Sequence, residues 1–159
     1  MDRDFFHPLE LKESQIIFFD GMTKNLQEEC ERIDQFIARN DGLDIMLVGI
    51  GLNGHIAMNE PGTSFDSYAQ LVDLSEETKE VGQKYFQKKT VLSKGLTLGL
   101  RHFRESKLPM LMANGAKKAS IVQKALTLPP STAIPASIIQ TLPHGLVLLD
   151  EEAAGLLSK

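Results

Sequence analysis

From Gly49 to Gly62 the chain reads Gly-Ile-Gly-Leu-Asn-Gly-His-Ile-Ala-Met-Asn-Glu-Pro-Gly, and the eight positions Asn53 to Glu60 hold a histidine, a glutamate and two asparagines. His55 is the one side chain there whose ordinary pKa lies near neutrality, which suits it to give and take a proton at working pH. Glu60, five residues on, orients or polarises that ring if the loop folds back on itself. Asn53 and Asn59 each offer donors and acceptors to hydroxyl groups. Gly49 and Gly51 let the chain turn sharply and bring backbone N–H groups close to a ligand, and Pro61-Gly62 closes the segment with a turn. The chemistry these residue types describe is proton transfer on a small polar molecule.

Other readings of the same residues are weaker. Gly49, Gly51 and Gly54 satisfy the glycine count of a dinucleotide fingerprint, but Asn59-Glu60-Pro61-Gly62 follows where that fingerprint needs a helix. His55 and Glu60 supply only two metal ligands, and His7, His102 and His144 stand in no ligand-like spacing with them, so no metal site is expected. No Gly-x-Ser-x-Gly elbow nominates a serine nucleophile. A hydrogen-bonding loop histidine beside an ordinary turn would have the same composition. A second anion-friendly place is Asn114-Gly115-Ala116-Lys117-Lys118, where a strand, a glycine turn and a helix start put backbone N–H groups beside a lysine. Two solvated lysines at a strand turn is the plainer reading of that segment.

The elements that must position these groups follow from apolar patterning. Ile16–Phe19 reads as a short buried strand closed by Asp20-Gly21. Thr23 is the expected N-cap of an amphipathic helix carrying Leu26, Cys30, Ile33 and Ile37 and ending near Asn40-Asp41-Gly42. Asp44–Gly49 is a strand apolar on both faces, as in a parallel sheet covered by helices. Ala69–Leu74 is a further strand, and Ser75 caps a helix running to about Phe86. Gly95–Leu100 is a strand or turn, Leu108–Ala113 a strand, and Ala116–Leu126 a helix broken by Pro129-Pro130. A helical piece at Ala136–Gln140, a strand at Leu146–Leu149 and a helix from Asp150 complete the order. Alternating strands and helices predict an α/β fold with a mainly parallel sheet, one domain over residues 1–159.

With 159 residues, 42% apolar and 24% charged, the chain has the composition of an ordinary globular domain. Its formal net charge of -4 offers no basic surplus for nucleic acid. Lys84, Lys88, Lys89 and Lys94 read as a solvated helix end able to help bind one small anion. The lone Cys30 is expected to be a buried thiol in a reducing cytoplasm. No apolar run approaches the roughly 20 residues that span a bilayer, and neither a signal peptide nor a membrane partner is expected.

The string Gly49–Gly62, with Phe18-Phe19-Asp20-Gly21 before it and Leu96-Thr97-Leu98-Gly99 and Asn114-Gly115-Ala116-Lys117-Lys118-Ala119 after it, resembles the glucosamine-6-phosphate deaminase/isomerase family, which includes galactosamine-6-phosphate isomerases. The resemblance implies a three-layer αβα, Rossmann-like fold. It also implies conversion of a 2-amino-2-deoxy-hexose 6-phosphate to a ketohexose 6-phosphate and ammonia, without cofactor. His55 would open the sugar ring, Glu60 alone would tune that histidine with Asn53 the third catalytic position, and Gly51, Gly54, Asn59, Lys84 and Lys118 would bind substrate, with lysine meeting phosphate as a point charge. Asn53 stands where many members have aspartate, and Lys84 and Gln70 where many glucosamine-type members have arginines, for substrate phosphate and for an allosteric phosphate site respectively, which argues for a galactosamine-type or unregulated enzyme. Family members carry about a hundred residues (most of a domain) ahead of the point where this chain begins, with a phosphate loop and the aspartate that removes the C2 proton. Asp2, Asp4 and Asp20 match no such motif, so the sequence reads as the C-terminal part of the fold. A partial sheet of this kind would expose an edge and apolar surface, and a homo-oligomer is one way to cover it. A 6-phosphogluconolactonase-like hydrolase and a non-catalytic sugar-phosphate-binding domain are the alternatives.

Overall fold

Three apolar runs form a parallel sheet. Strand β1 (Ile45–Gly49), strand β4 (Leu108–Ala113) and strand β5 (Leu146–Leu149) stand in the order β1-β4-β5. Ile45 pairs with Leu108 and Met110 with Leu146. Strands β2 (Gln70–Asp73) and β3 (Lys94–Thr97) form a separate antiparallel pair. The computed structural model describes residues 1–83, 86, 88, 89 and 91–157.

The expected α/β architecture, a mainly parallel sheet with helices, is present. Helices α3 (Leu100–Glu105) and α4 (Ala119–Thr127) and a 3-10 segment, Pro135–Thr141, cover one face of the parallel sheet. There Met46, Val48 and Leu111 meet Leu100, Phe103, Ile121, Val122, Ala125, Ile138 and Ile139. Gln140 Nε2 donates to the carbonyls of Ala125 and Leu128, both at 2.7 Å, and so satisfies the end of α4. On the opposite face the side chains alternate outward as a pleated strand requires, and Ile45, Leu47, Met112, Leu146 and Leu148 are exposed. Strand β1 is therefore apolar on both faces, as its sequence indicates, but buried on only one. Among the described residues no helix is long and apolar enough to cross a membrane.

Helix α1 (Leu26–Arg39) packs on β2 and β3 through Cys30, Ile33 and Ile37, and the cysteine is fully buried. Its N-cap is Asn25, whose side chain accepts from Glu28 N, and not Thr23. Buried His102 in α3 lies 3.2 Å from Asp34 of α1. Burial holds the His102 pKa below its ordinary value, against the attraction of the Asp34 carboxylate.

The segment Ile16–Phe19 is not a strand. It follows a 3-10 turn at Glu13–Gln15 and joins no ladder among the described residues; side chains of α1 hold the carbonyl of Phe18 and the amide of Asp20 just after the segment. Arg32 Nη2 donates to Phe18 O at 2.8 Å, and Glu29 Oε1 accepts from Asp20 N at 2.6 Å. Glu29 also takes two bonds from Arg32. Those bonds from the Arg32 guanidinium, then the one from Asp20, hold the Glu29 carboxyl down at about 2. A depressed carboxylate stabilises the fold above its unfolded pKa and loses that contribution as pH falls through the folded value. The stability gap between the native chain and Glu29→Gln should therefore be full above pH 4.5 and close as pH approaches about 2. Thermal melts across that window check this; a gap independent of pH would contradict it.

Two further departures concern short elements. Helix α3 has only six residues, and its start is capped from a distance: Leu100 N donates to Ser67 Oγ and Arg101 N to Ser67 O. Gly99 is required there, because a Cβ would strike the carbonyls of Ser67 and Tyr68. Residues 151–156 form turns and not a helix, because the Asp150 carboxylate is divided between Ala153 N at 2.8 Å and Gly115 N across the molecule.

Candidate active site

Residues 50–60 leave the end of β1 and are tied down from several sides. Gly51 N donates to His55 O at 2.8 Å, and Gly54 N to Gly51 O at 3.0 Å. Ile56 bridges Ile50 and Asn59, and its side chain is buried in the main core. Ala57 takes a left-handed conformation (φ 52°), the turn that lets Ile56 and Asn59 both face inward. Met58 N donates to Thr97 Oγ1, linking the loop to β3. Gly54 has φ 89° and lies so close to Ile134 that a Cβ would meet its Cγ2 at 2.8 Å. Gly51 has no room for a side chain, because a Cβ there would overlap the His55 ring.

Within this frame the three expected catalytic side chains form a relay. His55 Nδ1 is 2.8 Å from Asn53 Oδ1, which also accepts the His55 backbone N–H at 3.1 Å. That backbone bond fixes the amide orientation, because only the oxygen can accept. Asn53 Nδ2 therefore points the other way and donates to Glu60 Oε2 at 2.7 Å. An acceptor facing Nδ1 requires Nδ1 to carry the proton of the neutral ring, so the lone pair lies on Nε2. Glu60 Oε2 is 3.7 Å from His55 Nδ1, within ion-pair range but beyond a hydrogen bond.

Glu60 is mostly buried, at 15% side-chain exposure, and its second oxygen is also engaged. Thr78 Oγ1 donates to Oε1 at 2.6 Å, and Ser75 Oγ lies 3.0 Å away. Burial pushes the Glu60 carboxyl up, but the bonds from Thr78, Asn53 and Ser75 and the attraction of His55 outweigh it and leave its pKa lowered. The group is a carboxylate at neutral pH.

The substrate-side residues are placed unequally. Asn59 is fully buried: its Nδ2 donates to Ile56 O and Leu98 O, and its Oδ1 accepts from Gln70 Nε2 at 2.9 Å. It pins the loop and does not face a ligand, contrary to its expected role with hydroxyls. Gln70 is thereby used inside the protein. Lys118 reaches across to donate to Ile50 O at 2.6 Å, so its ammonium stands at the root of the His55 loop. The turn at Asn114–Lys118 is not an open cradle, since Gly115 N is held by Asp150 and Ala116 N by Glu152 Oε2 at 3.1 Å. Lys84 lies outside the described residues. Two concavities, of about 290 and about 330 Å3, are lined by residues including Phe19 and Leu71 and by residues including Phe6 and Leu11; neither includes His55.

The sequence reading missed Ser75 and Thr78 as neighbours of Glu60. Ser75 was legible only as a helix cap, and no local spacing reports a contact made across 15 or 18 residues.

A family profile described as glucosamine-6-phosphate isomerases/6-phosphogluconolactonase matches residues 1–147. The chain belongs to this family. It is 40% identical over 156 residues to a glucosamine-6-phosphate deaminase of Bacillus velezensis, covering 98% of this chain and 65% of that protein. It is 36% identical over 158 residues to one of Clostridium acetobutylicum, covering 99% of this chain and 66% of the relative. The chain thus spans about two thirds of the length of these relatives. Among solved structures, a monomeric glucosamine-6-phosphate deaminase superposes with a TM-score of 0.92 at 38% identity, over 98% of this chain and 65% of that one. A 6-phosphogluconolactonase from Trypanosoma brucei, at 19% identity and TM-score 0.64 over 91% of this chain and 59% of that one, shares the family fold.

Proposed function

We propose that this chain carries the ring-opening part of an amino-sugar-phosphate isomerase/deaminase. The reaction converts a 2-amino-2-deoxy-hexose 6-phosphate, of glucosamine or galactosamine type, to a ketohexose 6-phosphate and ammonia. The observation that carries the reading is the His55–Asn53–Glu60 relay, which puts the proton on Nδ1 and the lone pair on Nε2. Neutral His55 takes the proton of the anomeric hydroxyl, the C1–O5 bond breaks as the C1=O1 bond forms, and the same proton is returned to O5. The imidazolium formed in between is stabilised by the Glu60 carboxylate, with Asn53 as a neutral bridge. Removal of the C2 proton falls, through the family resemblance, to an aspartate whose motif this sequence does not match.

Lys118 supplies a point charge for the phosphate, whose binding energy positions a reacting carbon some distance away. The N–H groups of Gly51 and Gly54 are taken by His55 O and Gly51 O, so these glycines shape the loop and do not meet substrate as the sequence suggests; Lys84 is the second cation of this reading. With Gln70 committed to Asn59, we assign no regulatory phosphate site there. The free, buried Cys30 supports a cytoplasmic setting. Offering purified protein glucosamine 6-phosphate and galactosamine 6-phosphate in parallel, with ammonia as the readout, tests the proposal and names the epimer. Hydrolysis of 6-phosphogluconolactone without ammonia release from either hexosamine would replace this reading with the lactonase one.

A further inference from the structure

Two hydroxyls outside the loop converge on Glu60. Thr78 is in the first turn of helix α2 (Glu76–Gly82), and Ser75 is the N-cap of that helix. A threonine inside a helix commonly gives its hydroxyl proton to the carbonyl one turn back. Thr78 instead donates to Glu60 Oε1 at 2.6 Å, a short, charge-assisted bond to a residue 18 positions away. Ser75 Oγ caps the helix as an acceptor, taking the Thr78 backbone N–H at 3.2 Å. Capping leaves its single proton available, and both Glu60 Oε1 (3.0 Å) and Thr78 Oγ1 (2.9 Å) are within reach of it. In either arrangement the hydroxyl chain ends on Oε1.

We propose that Thr78, assisted by Ser75, is a positioning residue for proton transfer: it fixes Oε1 so that Oε2 is held toward Asn53 and, through it, toward His55. This rests on the reading of His55 as the proton-transfer group. A glutamate carboxyl rotates freely about its last torsion, with two nearly equivalent orientations. Asn53 Nδ2 alone holds one oxygen and leaves the plane of the group undetermined. Anchoring Oε1 from the opposite side removes that freedom and keeps the negative charge 3.7 Å from His55 Nδ1. It also makes the start of α2 part of the site, since Ser75 and Thr78 move only when that helix start moves.

The test uses Thr78→Val, which keeps the shape and removes the hydroxyl, and Thr78→Ser, which restores it. In protein carrying a carbon-13 label at glutamate carboxyls, the titration midpoint of Glu60 should move upward in Thr78→Val and return to the native position in Thr78→Ser. With a hexosamine 6-phosphate, Thr78→Val should lower kcat by about tenfold with KM little changed. An unchanged Glu60 midpoint in Thr78→Val, or one that Thr78→Ser does not restore, overturns the proposal. If the native chain releases no ammonia, the assigned reaction fails, while the Glu60 titration still decides whether Thr78 fixes the carboxylate.

Discussion

Replacing His55 by glutamine should abolish ammonia release while leaving affinity for the phosphate group largely intact. Glutamine fills a similar volume and can still meet Asn53, so the loop has little reason to collapse. It cannot hold and release a proton near neutral pH. A positioned acid–base group contributes about 10²–10⁴-fold to rate, and the loss should fall on kcat and kcat/KM together, because the interaction exists only in the transition state. Steady-state kinetics on the variant, with inorganic phosphate as a competitive probe of the retained site, provides the measurement. Native-like turnover would remove histidine from the chemistry, whatever the geometry of the relay.

The second large effect concerns the anchor beside it. Ile56 is 1% exposed and belongs to the cluster that includes Val48, Phe103 and Leu111. Truncating Ile56→Ala leaves a cavity in packed surroundings and should cost about 2–5 kcal/mol, set against the roughly 5–15 kcal/mol of a typical domain. Denaturant unfolding should show a lower midpoint with an unchanged slope. The neighbouring peptide carries His55, so turnover should fall as well, at temperatures where the fold survives. A change within about 0.5 kcal/mol would mean that the loop is held by its glycines and hydrogen bonds alone.

The loop was readable in the sequence because it is local. His55, Asn53 and Glu60 lie within eight positions, and a turn closed by Pro61-Gly62 leaves them few ways to avoid one another. Strands β4 and β5 were readable because each is an apolar run with abrupt ends. The same signal misread Ile16–Phe19, since apolar residues do not announce whether a ladder partner exists; there, Arg32 takes the Phe18 carbonyl. Helix α3 is shorter than the period needed to reveal it. Asp150-Glu151-Glu152 has the composition of a helix start, but Asp150 and Glu152 serve the amides of Gly115 and Ala116 instead. The sequence suggests Lys118 as part of a cradle, and the fold brings it to the His55 loop by a different route. Ser75, Thr78 and Gln70 acquire their roles only when β2 and α2 fold against the loop.

The outward side of the parallel sheet, where Ile45, Leu47, Met112, Leu146 and Leu148 are exposed on one face, has a practical consequence at the bench. Salting-out anions strengthen apolar association, whereas added salt weakens the long-range attraction of a sugar phosphate. Sulfate or concentrated phosphate buffer would therefore drive molecules of this protein together while depressing capture of the proposed substrate. Rates measured in such media would mix two opposing trends, and only a series in dilute, weakly salting-out buffer at several protein concentrations would separate them.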